Sequence, residues 1–139
     1  MIGEFQSERR VVTVLFADIA EFTALAEKMD PENVTDIINE YFKISSHIIN
    51  KYNGTVDSYI GDCVMAVFGA PQTMGNDSRN AILASMEILK SINRINKKFN
   101  KSLSVRIGIH TGLVIAGWVG SKVKRQYTVI GHTVNLAKR

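Results

Sequence analysis

Thr55-Val-Asp-Ser-Tyr-Ile60 and Cys63-Val-Met-Ala-Val-Phe68 are two strand-like runs separated only by Gly61-Asp62. A two-residue connection with glycine first suits a type II′ turn, so the pair predicts an antiparallel hairpin with Asp62 at its tip. Each flank of this hairpin carries a long helical period. Upstream, Asp30-Pro31 opens a helix whose apolar stripe runs Val34, Ile37, Ile38, Tyr41, Phe42, Ser45, Ile48, Ile49 and Tyr52, and Asn53-Gly54 ends it. Downstream, Gly75-Asn-Asp-Ser78 leads into a second helix with the stripe Ala81, Ile82, Ser85, Met86, Leu89, Ile92, Ile95 and Phe99.

Further strands bracket this unit. Val11-Val-Thr-Val-Leu-Phe16 is β-branched and apolar enough to be buried, and it runs directly into Ala17-Asp18. Val105, Ile107 and Ile109 alternate as a half-buried strand, Thr111-Gly112 predicts a turn into Leu113 to Val119, and Tyr127 to Ile130 is a last strand before a helix near Thr133. The order β-α-β-β-α-β, with additional elements behind it, implies an α+β sandwich of the ferredoxin-like kind with helices on one face.

At 139 residues the chain fits one domain, and 45% hydrophobic with 22% charged residues is a composition that can fill a core. No apolar run approaches the roughly 20 residues of a membrane span, and no signal peptide is legible, so the expected location is cytoplasmic. The single Cys63, set in an apolar run, reads as a core residue rather than a reactive thiol. Twelve of the thirteen acids precede Arg79, whereas eleven of the seventeen bases follow Glu87. That asymmetry fits a phosphate site, complementary ends of two protomers, or a solvated basic face. Nucleic-acid binding has only the Lys122 to Arg125 loop behind it, without interleaved aromatics, and is not expected.

Asp18 and Asp62 both stand at strand ends. Two such carboxylates suit divalent cations, because Mg²⁺ prefers a few carboxylates plus substrate phosphate oxygens, and a pair of ions serves phosphoryl or nucleotidyl transfer. On spacing alone the other reading stays open: Asp62 also favours the turn, and Asp18 can satisfy nearby backbone N–H groups. The loop Asp18-Ile-Ala-Glu-Phe-Thr23 could present backbone N–H groups to phosphates, although it lacks a Walker spacing.

Four segments, Phe16-Ala-Asp-Ile-Ala-Glu-Phe-Thr23, Tyr59 to Pro71, Arg106 to Gly112 and Tyr127 to Arg139, together resemble the catalytic domain of class III adenylyl/guanylyl cyclases. The resemblance covers residues 9–139, leaving 1–8 as an N-terminal extension or cloning remnant. It implies a nucleotide cyclase fold, two Mg²⁺ or Mn²⁺ ions on Asp18, Asp62 and the backbone carbonyl of Ile19, and Phe22 and Thr23 in the triphosphate loop. Asn135 would orient the ribose and Arg139 would stabilise charge on the phosphate, a role that suits a planar guanidinium fork. The ribose 3′-hydroxyl would attack the α-phosphorus and expel pyrophosphate. Active sites in the family form between two domains, which implies a head-to-tail homodimer or a heterodimer of cyclase domains.

The pair that selects the base in this family corresponds to Ser58 and Thr128. Thr128 can accept from an adenine amino group and favours ATP over GTP, while Ser58 lacks the reach of the usual lysine. Glu21 stands where the family has glycine, and His132 where it has aspartate or asparagine. The chain ends at Arg139 inside an expected helix, so the domain reads as incomplete at its C-terminus. A weakly active or non-catalytic cyclase-like module that binds nucleotide and dimerises is the alternative. A diguanylate cyclase is disfavoured, because Ile60-Gly-Asp-Cys-Val lacks that class's second acid.

Overall fold

A computed structural model of the chain describes residues 7–73, 75–120 and 125–138. The elements are β1 (Ser7–Ile19), α1 (Phe22–Ala26), α2 (Pro31–Lys51), β2 (Thr55–Ile60), β3 (Cys63–Phe68), α3 (Asp77–Phe99), β4 (Val105–Gly120), β5 (Arg125–Ile130) and α4 (His132–Lys138). The strands form one sheet in the order β2-β3-β1-β4-β5, with every neighbouring pair antiparallel. The first four strands thus have the ferredoxin-like arrangement, and the mixed α+β fold is the expected one.

Side-chain alternation along β1 divides the interior in two. Leu15, Ala17 and Ile19 face α2 and α3 in the larger core, together with Ile37, Tyr41, Ile49, Ile88 and Ile95. Val12, Val14 and Phe16 face the other way, onto Met65, Val67, Val114, Val129 and Ala137. Ala137 belongs to α4, so this helix lies on the sheet face opposite α2 and α3. The expectation of helices on one face is therefore corrected for the last helix.

The second face is concave. Thr128 on β5 and Asp57 on β2 sit on opposite edges of the sheet, where four strand spacings of about 4.8 Å would hold them about 19 Å apart if it were flat. Instead the Thr128 hydroxyl donates to the Asp57 carboxylate over 2.9 Å. The sheet curls until its edges meet around the smaller core.

The β2–β3 hairpin and the bounds of its strands agree with the sequence reading. Ile60 pairs with Cys63, and Gly61 alone of the two turn residues has positive φ, at 62°, as a type II′ turn requires. Asn53, at φ 66°, ends α2 in the left-handed region. Asp30 is the N-cap residue of α2 but makes no side-chain cap hydrogen bond.

Two other expectations are corrected. Thr111-Gly112 makes no turn: β4 is one strand of 16 residues, because β1 offers an unbroken partner from Ser7 to Ile19. Thr111 there shares a 2.8 Å hydrogen bond with Thr13, and His110 lies mid-strand opposite Val14. The stripe of α3 holds at Ala81, Ser85, Ile92 and Ile95, which are buried, but its other flank is corrected. Ala84, Ile88 and Ser91 are buried, whereas Ile82, Met86 and Leu89 are 52%, 53% and 45% exposed. The small residues at 84 and 91 let the helix lie close to its neighbours, which turns the larger side chains outward. Among the described residues no helix is long and apolar enough to cross a membrane.

Candidate active site

Asp18 closes the concave side of β1, and the hairpin tip brings Asp62 to it. One carboxylate oxygen of Asp62 accepts the backbone N–H of Ile19 over 2.9 Å, which ties the hairpin tip to the residue after Asp18. The Ile19 side chain is buried in the larger core, which leaves only its backbone to serve a ligand. Beneath it the buried Tyr41 hydroxyl donates to the carbonyl of Ala17 over 2.8 Å and fixes the residue before Asp18. Burial first, and then the negative charges nearby, push the Tyr41 phenol upward, so it remains a neutral donor. Burial also raises the Cys63 thiol to about 11, as fits an inert core cysteine.

Arg106 was not singled out in the sequence as a site residue. It faces Asp18 across the β1–β4 ladder, with Nε 3.2 Å from one carboxylate oxygen and Nη2 3.5 Å from the other. This exposed pair is long and readily exchanged for other partners. A cleft of about 240 Å³ opens beside it, lined by Phe16, Asp18, Arg106, Gly108, Ala137 and Lys138. Its walls carry one carboxylate and two cationic side chains, a combination suited to a metal-bound polyanion. The sequence signal for Arg106 was its place in strand register with Asp18, visible only once the two strands are paired.

The loop after β1 turns sharply at Glu21, whose φ of 55° lies in the left-handed region that glycine adopts without cost. This explains why glycine suits the position. The Glu21 side chain is exposed. Phe22 is 6% exposed and anchored in the larger core, so any contact it makes with phosphate would be through its backbone, whereas Thr23 is exposed.

Of the two positions expected to read the base, Thr128 donates to Asp57, the residue before Ser58. On α4, Asn135 is exposed and Thr133 is tied down by donating to the Leu113 carbonyl over 2.9 Å. Gly108 and Gly112 make room for this helix. A Cβ on Gly108 would come closer than 3.0 Å to the carbonyl oxygen of Ala137, and one on Gly112 equally close to the Thr133 hydroxyl. Arg139 and the basic residues Lys122 and Lys124 lie outside the described residues.

The family described as adenylate and guanylate cyclase catalytic domain matches residues 5–139. The chain belongs to this family. Among solved cyclase structures, it is similar to the adenylyl cyclase CyaB from P. aeruginosa, with 38% identity and a TM-score of 0.92 over 96% of this chain and 72% of that one. It is also similar to the guanylyl cyclase Cya2, with 32% identity and a TM-score of 0.91 over 95% of this chain and 69% of that one. Adenylate cyclase 1 of Rhizobium meliloti (strain 1021) is 34% identical over 94% of the chain, and the receptor-type guanylate cyclase Gyc76C of Drosophila melanogaster 36% over 93%. The chain spans 20% and 9% of the lengths of these two cyclases. Cyclases named for adenylate and cyclases named for guanylate are thus both among the proteins it resembles.

Proposed function

We propose that the chain is the catalytic domain of an adenylate cyclase, converting ATP to 3′,5′-cyclic AMP and pyrophosphate at a site shared by two cyclase domains. The observation that carries this reading is the bond that ties Asp62 to the backbone next to Asp18, beside a cleft lined by Asp18 and Arg106.

The donor set fits Mg²⁺ or Mn²⁺. Asp62 uses one oxygen on the Ile19 N–H and has the other to offer, and Asp18 gives up only a loose ion pair. Two carboxylates with the Ile19 carbonyl, completed by phosphate oxygens, suit these hard ions better than a closed protein cage would. When bound, two such ions supply positive charge for the attacking ribose oxygen and the departing phosphates. Arg106, released from Asp18, would turn its guanidinium to the triphosphate and hold it by paired N–H donors. Lys138 would add charge from the same cleft. Asn135 would orient the ribose and Arg139 would stabilise the charge that develops at the α-phosphate, while Phe22 and Thr23 would line the phosphates through the loop after β1.

Two features support a dimer. Leu113, Ile115, Trp118 and Ile130, at the β4–β5 end of the sheet, are between 43% and 54% exposed, a density of apolar surface that suits burial by a second domain. The acidic first half and basic last third of the chain give a second copy complementary surfaces.

The test is incubation with ATP or GTP and Mn²⁺, with Asp62→Ala as control. Cyclic AMP from the native chain and none from the variant is the expected result. No cyclic product from either nucleotide at high protein concentration would refute catalysis and leave a nucleotide-binding module.

A further inference from the structure

The contact between β2 and β5 has no counterpart in the sequence reading, and it bears on which purine the site accepts. Strict alternation along β2 would put Val56 and Ser58 on one face and Asp57 on the other. The register breaks here: Val56 is paired with Ala66 and Ser58 with Met65, so Asp57 is the extra residue of a β-bulge. Val56 packs toward the helices, yet the Ser58 hydroxyl lies 3.8 Å from the Met65 sulfur on the concave side. The bulge thus turns Asp57 and Ser58 onto the same face, opposite Thr128.

Three polar groups meet there. Thr128 donates to Asp57 over 2.9 Å, and the Ser58 hydroxyl stands on the same face, 3.8 Å from the Met65 sulfur. An ionised carboxylate can only accept, so the Thr128 hydroxyl has its hydrogen committed inward and offers only lone pairs outward. The walls around Asp57 are Thr55, Val67, Ala70, Tyr127 and Val129, mostly apolar side chains that limit the water able to reverse this orientation.

We infer that Asp57 sets the base preference of the site by holding the Thr128 hydroxyl as an obligate acceptor, which matches the 6-amino group of adenine and opposes a 6-oxo group. This inference rests on the cyclase reading for placing a purine at Thr128. Asp57 is a positioning residue that acts through Thr128. The work of purine choice then passes from the short Ser58 side chain, which cannot reach a base as lysine can, to the carboxylate before it.

Asp57→Asn tests this with one atom changed. The asparagine NH₂ donates to Thr128, and the freed threonine hydrogen turns outward to meet a 6-oxo group. The measurement is the ratio of kcat/KM for ATP over inosine triphosphate, which carries the 6-oxo group without the 2-amino group of guanine. The same ratio is taken from binding of the two 3′-deoxy analogues by calorimetry, with thermal melts as the folding control. The native chain should prefer ATP, and Asp57→Asn should lower the preference about tenfold, one hydrogen bond's worth. Thr128→Val, which removes the hydroxyl at equal volume, should lower it as well and stands in should Asp57→Asn not fold. An unchanged ratio in a folded variant, no preference for ATP in the native chain, or no nucleotide binding overturns the inference. Binding ratios that shift as described, without cyclic product, would refute the catalytic reading alone.

Discussion

Replacing Gly108 by alanine should lift α4 from the sheet and silence the proposed site without touching Asp18 or Asp62. The added methyl would lie closer than 3.0 Å to the Ala137 carbonyl oxygen, and that atom is backbone, so no side-chain rotation relieves the clash. Overpacking of this kind costs about 1–3 kcal/mol. A ceiling comes from detaching the helix altogether. That would expose Ala137, now 2% accessible, part of Val134, and the 2.9 Å bond from Thr133 to Leu113, a loss of about 3 kcal/mol. We therefore expect a destabilisation of about 2 kcal/mol, seen as a melting point lower by about 6 °C for a domain of this size. Because α4 carries Asn135, cyclase turnover should fall far more than stability does. Gly61→Ala is the comparison: nothing lies within 4 Å of its added Cβ, and only the positive φ of 62° is strained, at about 1 kcal/mol. Urea unfolding and cyclic nucleotide assays on both variants measure the contrast. Native stability and turnover in Gly108→Ala would refute the claim that this glycine seats α4.

Three further outcomes follow from the same geometry. Glu21→Gly relieves a left-handed backbone and removes an anionic side chain from the loop after β1, so stability should rise by up to about 1 kcal/mol and KM for nucleotide should fall. Tyr41→Phe leaves the buried Ala17 carbonyl without its donor and should cost about 1–3 kcal/mol in urea unfolding while weakening Mn²⁺ binding in calorimetry. Mn²⁺ should raise the melting point of the native chain in a concentration-dependent way by binding the folded state, and Asp62→Ala should abolish that rise.

What the sequence made legible was local. The hairpin at Gly61-Asp62 could be bounded residue by residue because a two-residue turn is decided by its own glycine, and the end of α2 because Asn53 takes the left-handed conformation itself. Gly112 misled for the complementary reason. Its lack of a side chain serves a helix twenty residues later, and a glycine needed for close approach looks the same in sequence as one needed for a turn. Ile82, Met86 and Leu89 form as good an apolar stripe as the face that α3 buries, and only the packing of Ala84 and Ser91 decides between them. The Arg106–Asp18 and Asp57–Thr128 contacts span 88 and 71 residues and depend on strand order, a bulge and the curl of the sheet. None of these has a local signature. Asp18 and Asp62, the proposed metal ligands, were legible because one closes a strand and the other sits in a two-residue turn; the residues that would orient substrate around them were legible chiefly through the family resemblance.

The central claim, a cyclase site divided between two domains, is tested most directly by mixing two inactive variants. Asp18→Asn removes a proposed metal ligand and Asn135→Ala a proposed ribose contact. In a head-to-tail dimer of the two, one site holds both lesions and the other holds neither. Random pairing should therefore restore about a quarter of the native site number. Cyclic AMP formation in the mixture, absent from either variant alone, is the predicted result. A mixture as inactive as its components, with dimers shown to exchange, would contradict the account.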